Sequence, residues 1–202
     1  MRKFLLAGLA ATCGAIAAQP ALAEAGAFSG PRAEVVLGYD QLNSKEDGES
    51  GHKGGFGYGA RLGYDLQSSG FVYGVEVGVA GSSIKESESD IDVTGDRLTL
   101  KAGRDLYAGV RVGAVVTPST LLYARAGYTN ARLSLEYKAP NLPAVTAGRN
   151  KGGFRAGAGV EHKLVGSSYV LGEYDYSTYG SFTDDDLKIN RHQLLAGVGI
   201  RF

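Results

Sequence analysis

The 202-residue chain is 44% hydrophobic and carries 21 basic against 21 acidic side chains; it lacks the basic excess that nucleic-acid binding favours. Its one cysteine, Cys13, lies in the N-terminal apolar stretch, which leaves no thiol elsewhere for a disulfide framework or a cysteine metal site. No later run reaches the ~18 apolar residues of a membrane helix, and that excludes one of the two ways of crossing a bilayer.

Arg2 and Lys3, the apolar run from Phe4 to Ala18 and the small-residue motif Ala21-Leu22-Ala23 read as a secretory signal peptide over 1–23. A lipoprotein anchor at Cys13 is disfavoured by Thr12 before it. Removing 1–23 takes away two basic residues and no acid, so residues 24–202 form one domain with 19 basic and 21 acidic groups.

From there the sequence has a period of two. Phe56, Tyr58, Ala60, Leu62, Tyr64 and Leu66 alternate with Gly, Arg and Asp. After a turn at Gln67–Gly70, Phe71, Tyr73, Val75, Val77 and Val79 do the same. This pattern predicts eight strands, at about 32–41, 55–67, 70–81, 97–116, 120–137, 151–164, 168–177 and 189–202. Links at 67–70, 117–120 and 165–168 are short. Links at 42–54, 82–96, 138–150 and 178–188 are long and polar. Short turns on one side and long loops on the other fit an all-β fold, an eight-stranded antiparallel up-and-down transmembrane β-barrel.

The orientation of the faces follows from where bulk lies. Leu37, Tyr39, Leu62, Tyr64, Val75, Val77, Val110, Val112, Val160 and Leu194 share one phase. The opposite phase is mostly glycine with single charges. A narrow interior holding large ionic side chains needs small neighbours, and an apolar exterior needs lipid. Tyr39, Phe56, Tyr58, Tyr128, Phe154, Tyr174 and Tyr176 fall near the long-loop ends. Tyr64, Phe71, Tyr73 and Phe202 fall near the short-turn ends, giving an aromatic girdle at each interface. The last segment, "LLAGVGIRF" (194–202), stays in phase to its final residue, as closure of the last strand on the first requires.

At "GYGARLGYDL" (57–66), "VYGVEVG" (72–78), "LLYARAGYTNA" (121–131), "GFRAGAGVEH" (153–162), "GEYDYSTYG" (172–180) and "HQLLAGVGIRF" (192–202), the chain resembles the opacity-type and outer-membrane-protein-A-like small barrels of Gram-negative bacteria. The resemblance covers essentially all of 24–202. It implies a barrel embedded in the bacterial outer membrane, and a role as porin, surface antigen or adhesin. The terminal Phe202 also resembles the signal read by the outer-membrane barrel assembly machinery. Asp175 departs from the resemblance, which leads one to expect a basic residue there; this rearranges an internal ion pair without threatening the fold.

The inward phase is expected to hold eight acids (Glu34, Asp40, Asp65, Glu76, Asp105, Glu161, Glu173, Asp175) and eight bases (Arg61, Lys101, Arg111, Arg125, Arg155, Lys163, Arg191, Arg201). Isolated charges in a narrow lumen are costly, so these should pair. The expected interior ionic network comprises Arg61, Glu76, Arg111, Arg125, Arg155, Glu161, Glu173 and Asp175. It reads as a plug, with a gate as the alternative. Arg104 and Arg132 share the apolar phase and are expected at the long-loop interface, near lipopolysaccharide phosphates or at a bulge.

Catalysis finds little support. His52, His162 and His192 lie apart from any serine motif, although His192 sits in the outward phase near the outer leaflet. The glycine strings at 54–63 and 156–163 lack both phosphate-loop spacings. The acidic loop segments 82–96 and 181–188 lack the EF-hand spacing, and 138–150 is mildly basic and apolar. The expectation is therefore an outer-membrane surface-interaction barrel with at most weak porin activity. It has no cofactor, no metal and no nucleic-acid partner. Its partners are the membrane, lipopolysaccharide, the assembly machinery and a surface ligand met through long loops, and it is a monomer. An outer-membrane lipid-modifying enzyme and a soluble ligand-binding barrel are the alternatives.

Overall fold

The computed structural model describes residues 26–46, 49–89, 95–140, 143–180 and 188–202. The expected signal peptide and most of the acidic stretch 181–188 lie outside them. The strands are β1 (Gly30–Glu46), β2 (Glu49–Ser68), β3 (Phe71–Ser82), β4 (Lys85–Ser89), β5 (Arg97–Thr117), β6 (Thr120–Lys138), β7 (Val145–Lys163), β8 (Ser168–Tyr179) and β9 (Lys188–Arg201). All neighbours are antiparallel. Eight of the strands close a ring, because β3 pairs β5 and β1 pairs β9. Closure leaves no free edge in hydrocarbon, where an unpaired backbone group costs several kcal/mol.

The ninth strand is an addition to the expected eight. The chain leaves β3 at Ser83–Ile84 and returns to β5 as β4, with Lys85 opposite Lys101. The break coincides with a bulge on β5, where the register against β6 shifts between Ala102 and Asp105. Arg104 lies inside that shift, so a bulge places it where alternation alone makes it an anomaly. Three links are also shorter than their polar composition suggested. The expected loop 42–54 is almost wholly strand, β4 lies within 82–96, and β7 starts at Val145 rather than near 151. Polar alternation continues the ladders above the membrane, where both faces are wet and hydrophobic periodicity fades.

Period-two alternation sorts the side chains. Leu62, Val75 and Leu194 point away from the ring and are 60–63% exposed, whereas Arg32, Glu76 and Glu173 point in and are buried. All eleven aromatics expected in the girdles are exposed on the outer wall. The inner wall also holds apolar side chains: Val36, Leu171 and Leu195 pack with Tyr169, and Val72, Leu121 and Tyr123 pack with Phe28. Phe28 precedes β1 and turns into the short-turn end of the ring, with its amide donating to Gln67 Oε1 at 3.0 Å.

Glycine allows the inward ionic side chains to lean sideways. Gly74 lies opposite Asp65, and Gly157 opposite Asp175. A Cβ on either would stand 2.0 Å from the facing aspartate Oδ1. The small residue is required by its neighbour across the ladder, which explains a pattern that would otherwise weaken a strand.

Candidate functional site

The lumen is filled by three linked ionic clusters, each assembled from strands far apart in sequence. Nearest the short turns, Arg32 Nη1 donates to Glu34 Oε1 at 2.5 Å and its Nε to Asp65 Oδ2 at 3.1 Å, while Nη2 reaches Glu76. Arg111 donates to Glu161 at 2.5 Å, and Arg201 bridges Asp65 and Glu161 at 3.0 Å each. In the middle, Arg61 grips Glu173 with two hydrogen bonds of 2.5 and 3.0 Å. Arg125 Nη1 donates to the same carboxylate at 2.7 Å, and its Nε lies 2.7 Å from Glu76 Oε1. Asp175 stands 3.4 Å from Arg125 and 3.8 Å from Arg61. Nearest the long loops, Arg191 holds Asp40 with two bonds of 2.7 Å and Asp105 with a third. Arg155 donates to Asp105 and, at 2.8 Å, to Ser177.

Tyrosines complete the coordination. Tyr123 donates to Glu173 at 2.7 Å, Tyr169 to Glu34 at 2.9 Å and Tyr179 to Asp105 at 3.1 Å. The Arg111 guanidinium lies 3.8 Å from the Tyr123 ring centre and that of Arg125 lies 4.3 Å from Tyr107. Removing an ion from water costs several kcal/mol, and attraction repays this only when every remaining donor and lone pair is engaged. Shared carboxylates, paired guanidinium contacts and phenol donors engage most of these atoms, while Asp65 Oδ1, Asp175 Oδ1 and the Nε of Arg111 and Arg201 have no hydrogen-bond partner among the described residues.

All eight residues of the expected network are buried in these clusters. Two expected interior bases are elsewhere. Lys101 lies above the ring and pairs with Glu136 at 2.6 Å, because the bulge reverses the phase of β5 beyond it. Lys163 sits at the short-turn rim, where it donates to Ala27 O at 2.7 Å. Arg32, which sequence reasoning missed, is 2% exposed and contacts three carboxylates. Its phase with Glu34, Val36 and Asp40 was the available signal. The inward tyrosines were likewise in phase with their ionic neighbours. Phe28 lies outside any periodic segment and carried no signal.

The histidines are dispersed. His52 and His162 are exposed, with His162 beside Thr120 Oγ1 at 3.0 Å. On the outer wall the His192 ring lies against Tyr176, and its Nδ1 is 2.6 Å from the Tyr174 hydroxyl.

This architecture has known counterparts. Neisserial surface protein A aligns with a TM-score of 0.56 at 15% identity, covering 86% of this chain and 98% of that one. The attachment invasion locus protein Ail of Yersinia pestis, solved with the heparin analogue sucrose octasulfate, gives 0.51 at 16% identity over 85% and 99%. In sequence, the 25 kDa outer-membrane immunogenic proteins of Brucella ovis and Brucella abortus are each 29% identical, over 144 and 150 residues. Each match takes in 71% of this chain; it spans 62% and 64% of those relatives, under two thirds of their length. The family model described as the outer membrane protein beta-barrel domain matches residues 7–202. A closed eight-strand ring, lipid-ready outside and ionic within, thus meets a family match over nearly the whole sequence: the chain belongs to the outer membrane protein β-barrel family.

Proposed function

We propose that this barrel is a non-conducting, non-catalytic surface protein, which uses the lumen for stability and the strands and loops above the membrane for contact with external partners. The observation that carries this reading is the continuity of the lumen network. Arg61 on β2 holds Glu173 on β8, 112 positions later in the chain, and spans the ring. Eight strands leave an interior that side chains fill. Against catalysis, the phenol of Tyr174 rather than a serine lies beside the outward imidazole of His192. The signal peptide 1–23 is removed on export, Phe202 is presented to the assembly machinery, and lipopolysaccharide phosphates meet Arg104 and Arg132 at the outer rim. One chain suffices to close the ring, so the protein is a monomer.

Planar-bilayer recording of the purified, refolded protein tests the filled lumen. The expected trace is a silent bilayer or brief small openings. A stable large conductance from pure protein overturns the plug.

A further inference from the structure

The bulge on β5 leaves a cation at the head of an apolar groove on the outer wall. Pairing of β3 with β5 ends at Ala80–Asp105, and Arg104 stands just past that rung, exposed and beside Gly81. The Tyr58 ring leans across Gly81 from β2: a Cβ on that glycine would stand 2.8 Å from the phenol oxygen. From Arg104 and Tyr58 a groove of about 710 Å³ passes over Ala60, between Val35, Leu37 and Val79. The large side chains among these belong to the exposed, hydrocarbon-facing phase, so the groove opens to the bilayer rather than to the lumen.

The neighbouring carboxylates are already engaged. Asp105, next in sequence, is turned into the lumen and held by Arg155 and Arg191. Glu136, in phase with Arg132 on the outer face, is held by Lys101 at 2.6 Å. Among the described residues Arg104 enters no ion pair. Arg on a lipid-facing wall is tolerated near the interface, and there anionic headgroups supply the missing counter-charge. A dissolved anion would answer the charge alone. A lipid answers the charge and fills the groove beneath it.

We infer that the wall carries a seat for one phosphate-bearing lipid of the outer leaflet. Arg104 takes the headgroup phosphate, the Tyr58 hydroxyl is a second donor, and one acyl chain lies over Ala60. Arg132 stays outside the seat, because its guanidinium lies over Gly148 on β7, where Nη2 is 2.9 Å from that glycine's would-be Cβ. The inference deepens the proposed contact of Arg104 with headgroup phosphates, and it rests on the surface reading for the leaflet involved. Loss of the seat leaves the filled lumen intact, and a large conductance leaves the seat intact.

The chain contains no tryptophan, so a single introduced indole reports the lipid beside it. Val77→Trp places one next to the groove, in phase with Val79, and Ala126→Trp places a reference on β6, across β5 from the groove. The full barrel is reconstituted in phosphatidylcholine with increasing phosphatidic acid brominated in its acyl chains, and quenching gives the local preference for phosphatidic acid. The expected preference is about fivefold at Val77→Trp and near equality at Ala126→Trp. Adding Arg104→Ala is expected to abolish it, whereas Arg104→Lys and Arg132→Ala each keep most of it. Inorganic phosphate at constant ionic strength is expected to leave the quenching unchanged. Leu62→Trp, opposite Val77 on β2, replaces the groove reporter if that variant fails to fold, as judged by heat-modifiable gel migration. No preference at a folded groove reporter, equal preference at both indoles, a preference that survives Arg104→Ala, or displacement by inorganic phosphate each overturns the proposal.

Discussion

Glu173 is the residue on which most of the lumen converges: it receives Arg61 through two bonds, Arg125 through a third and the Tyr123 phenol through a fourth. Truncating it leaves two guanidinium groups without their main partner in a dry interior. Glu173→Ala is therefore expected to lower stability by about 3–5 kcal/mol, read as the urea midpoint for unfolding from lipid. A midpoint within error of wild type would mean that water reaches the network. The pair above the membrane behaves differently. The hydrogen bond from Lys101 holds the Glu136 carboxyl below the ordinary carboxylate range. A depressed folded value stabilises the fold above the unfolded value, and the contribution fades as pH falls through the folded one. Both groups are partly exposed, so the effect is small and screened by salt. Lys101→Ala should return the Glu136 titration, followed by NMR, towards the ordinary value.

At the scale of strands, the ladders are organised by what each position permits its neighbour to do. Gly157→Ala would press a methyl group on Asp175 and on the Tyr174 carbonyl, 2.8 Å away; a loss of about 1–3 kcal/mol is expected. Gly172, on the outer wall, has nothing within 4 Å of its would-be Cβ. Gly172→Ala should thus be neutral or stabilising by up to about 1 kcal/mol, and equal loss in both variants would remove the steric account. This contrast also marks what was legible beforehand. Alternation revealed the ring, the outer wall and most of the ionic interior, because hydrocarbon outside and charge inside leave a period-two record on each strand. It could not reveal β4 or the reversed phase of Lys101, since a bulge adds a residue without changing composition. Arg32 was readable from its phase but stands beside Pro31 at the strand's first turn of alternation, where the pattern has barely begun.

For the molecule as a whole, the arrangement inverts that of a soluble domain, with a wall of Val, Leu and aromatic rings around buried salt bridges. A charge introduced on the outer wall should reveal the membrane's depth. Val75→Arg, midway along β3, is expected to cost about 2–4 kcal/mol, whereas Arg104→Ala at the bulge should change stability by no more than about 0.5 kcal/mol. Urea titration in lipid vesicles measures both, and a tolerated Val75→Arg would place that position in water.

The turn around Phe28 has a consequence for how the protein is made. Its carbonyl is taken by Arg201 on the final strand, the carbonyl of Ala27 by Lys163 on β7, and its amide by Gln67 on β2. These three partners come together only once the last strand has met the first. The clasp is thus fastened at the end of biogenesis, and resistance of residues 26–29 to a protease would serve as a timestamp for a finished cylinder.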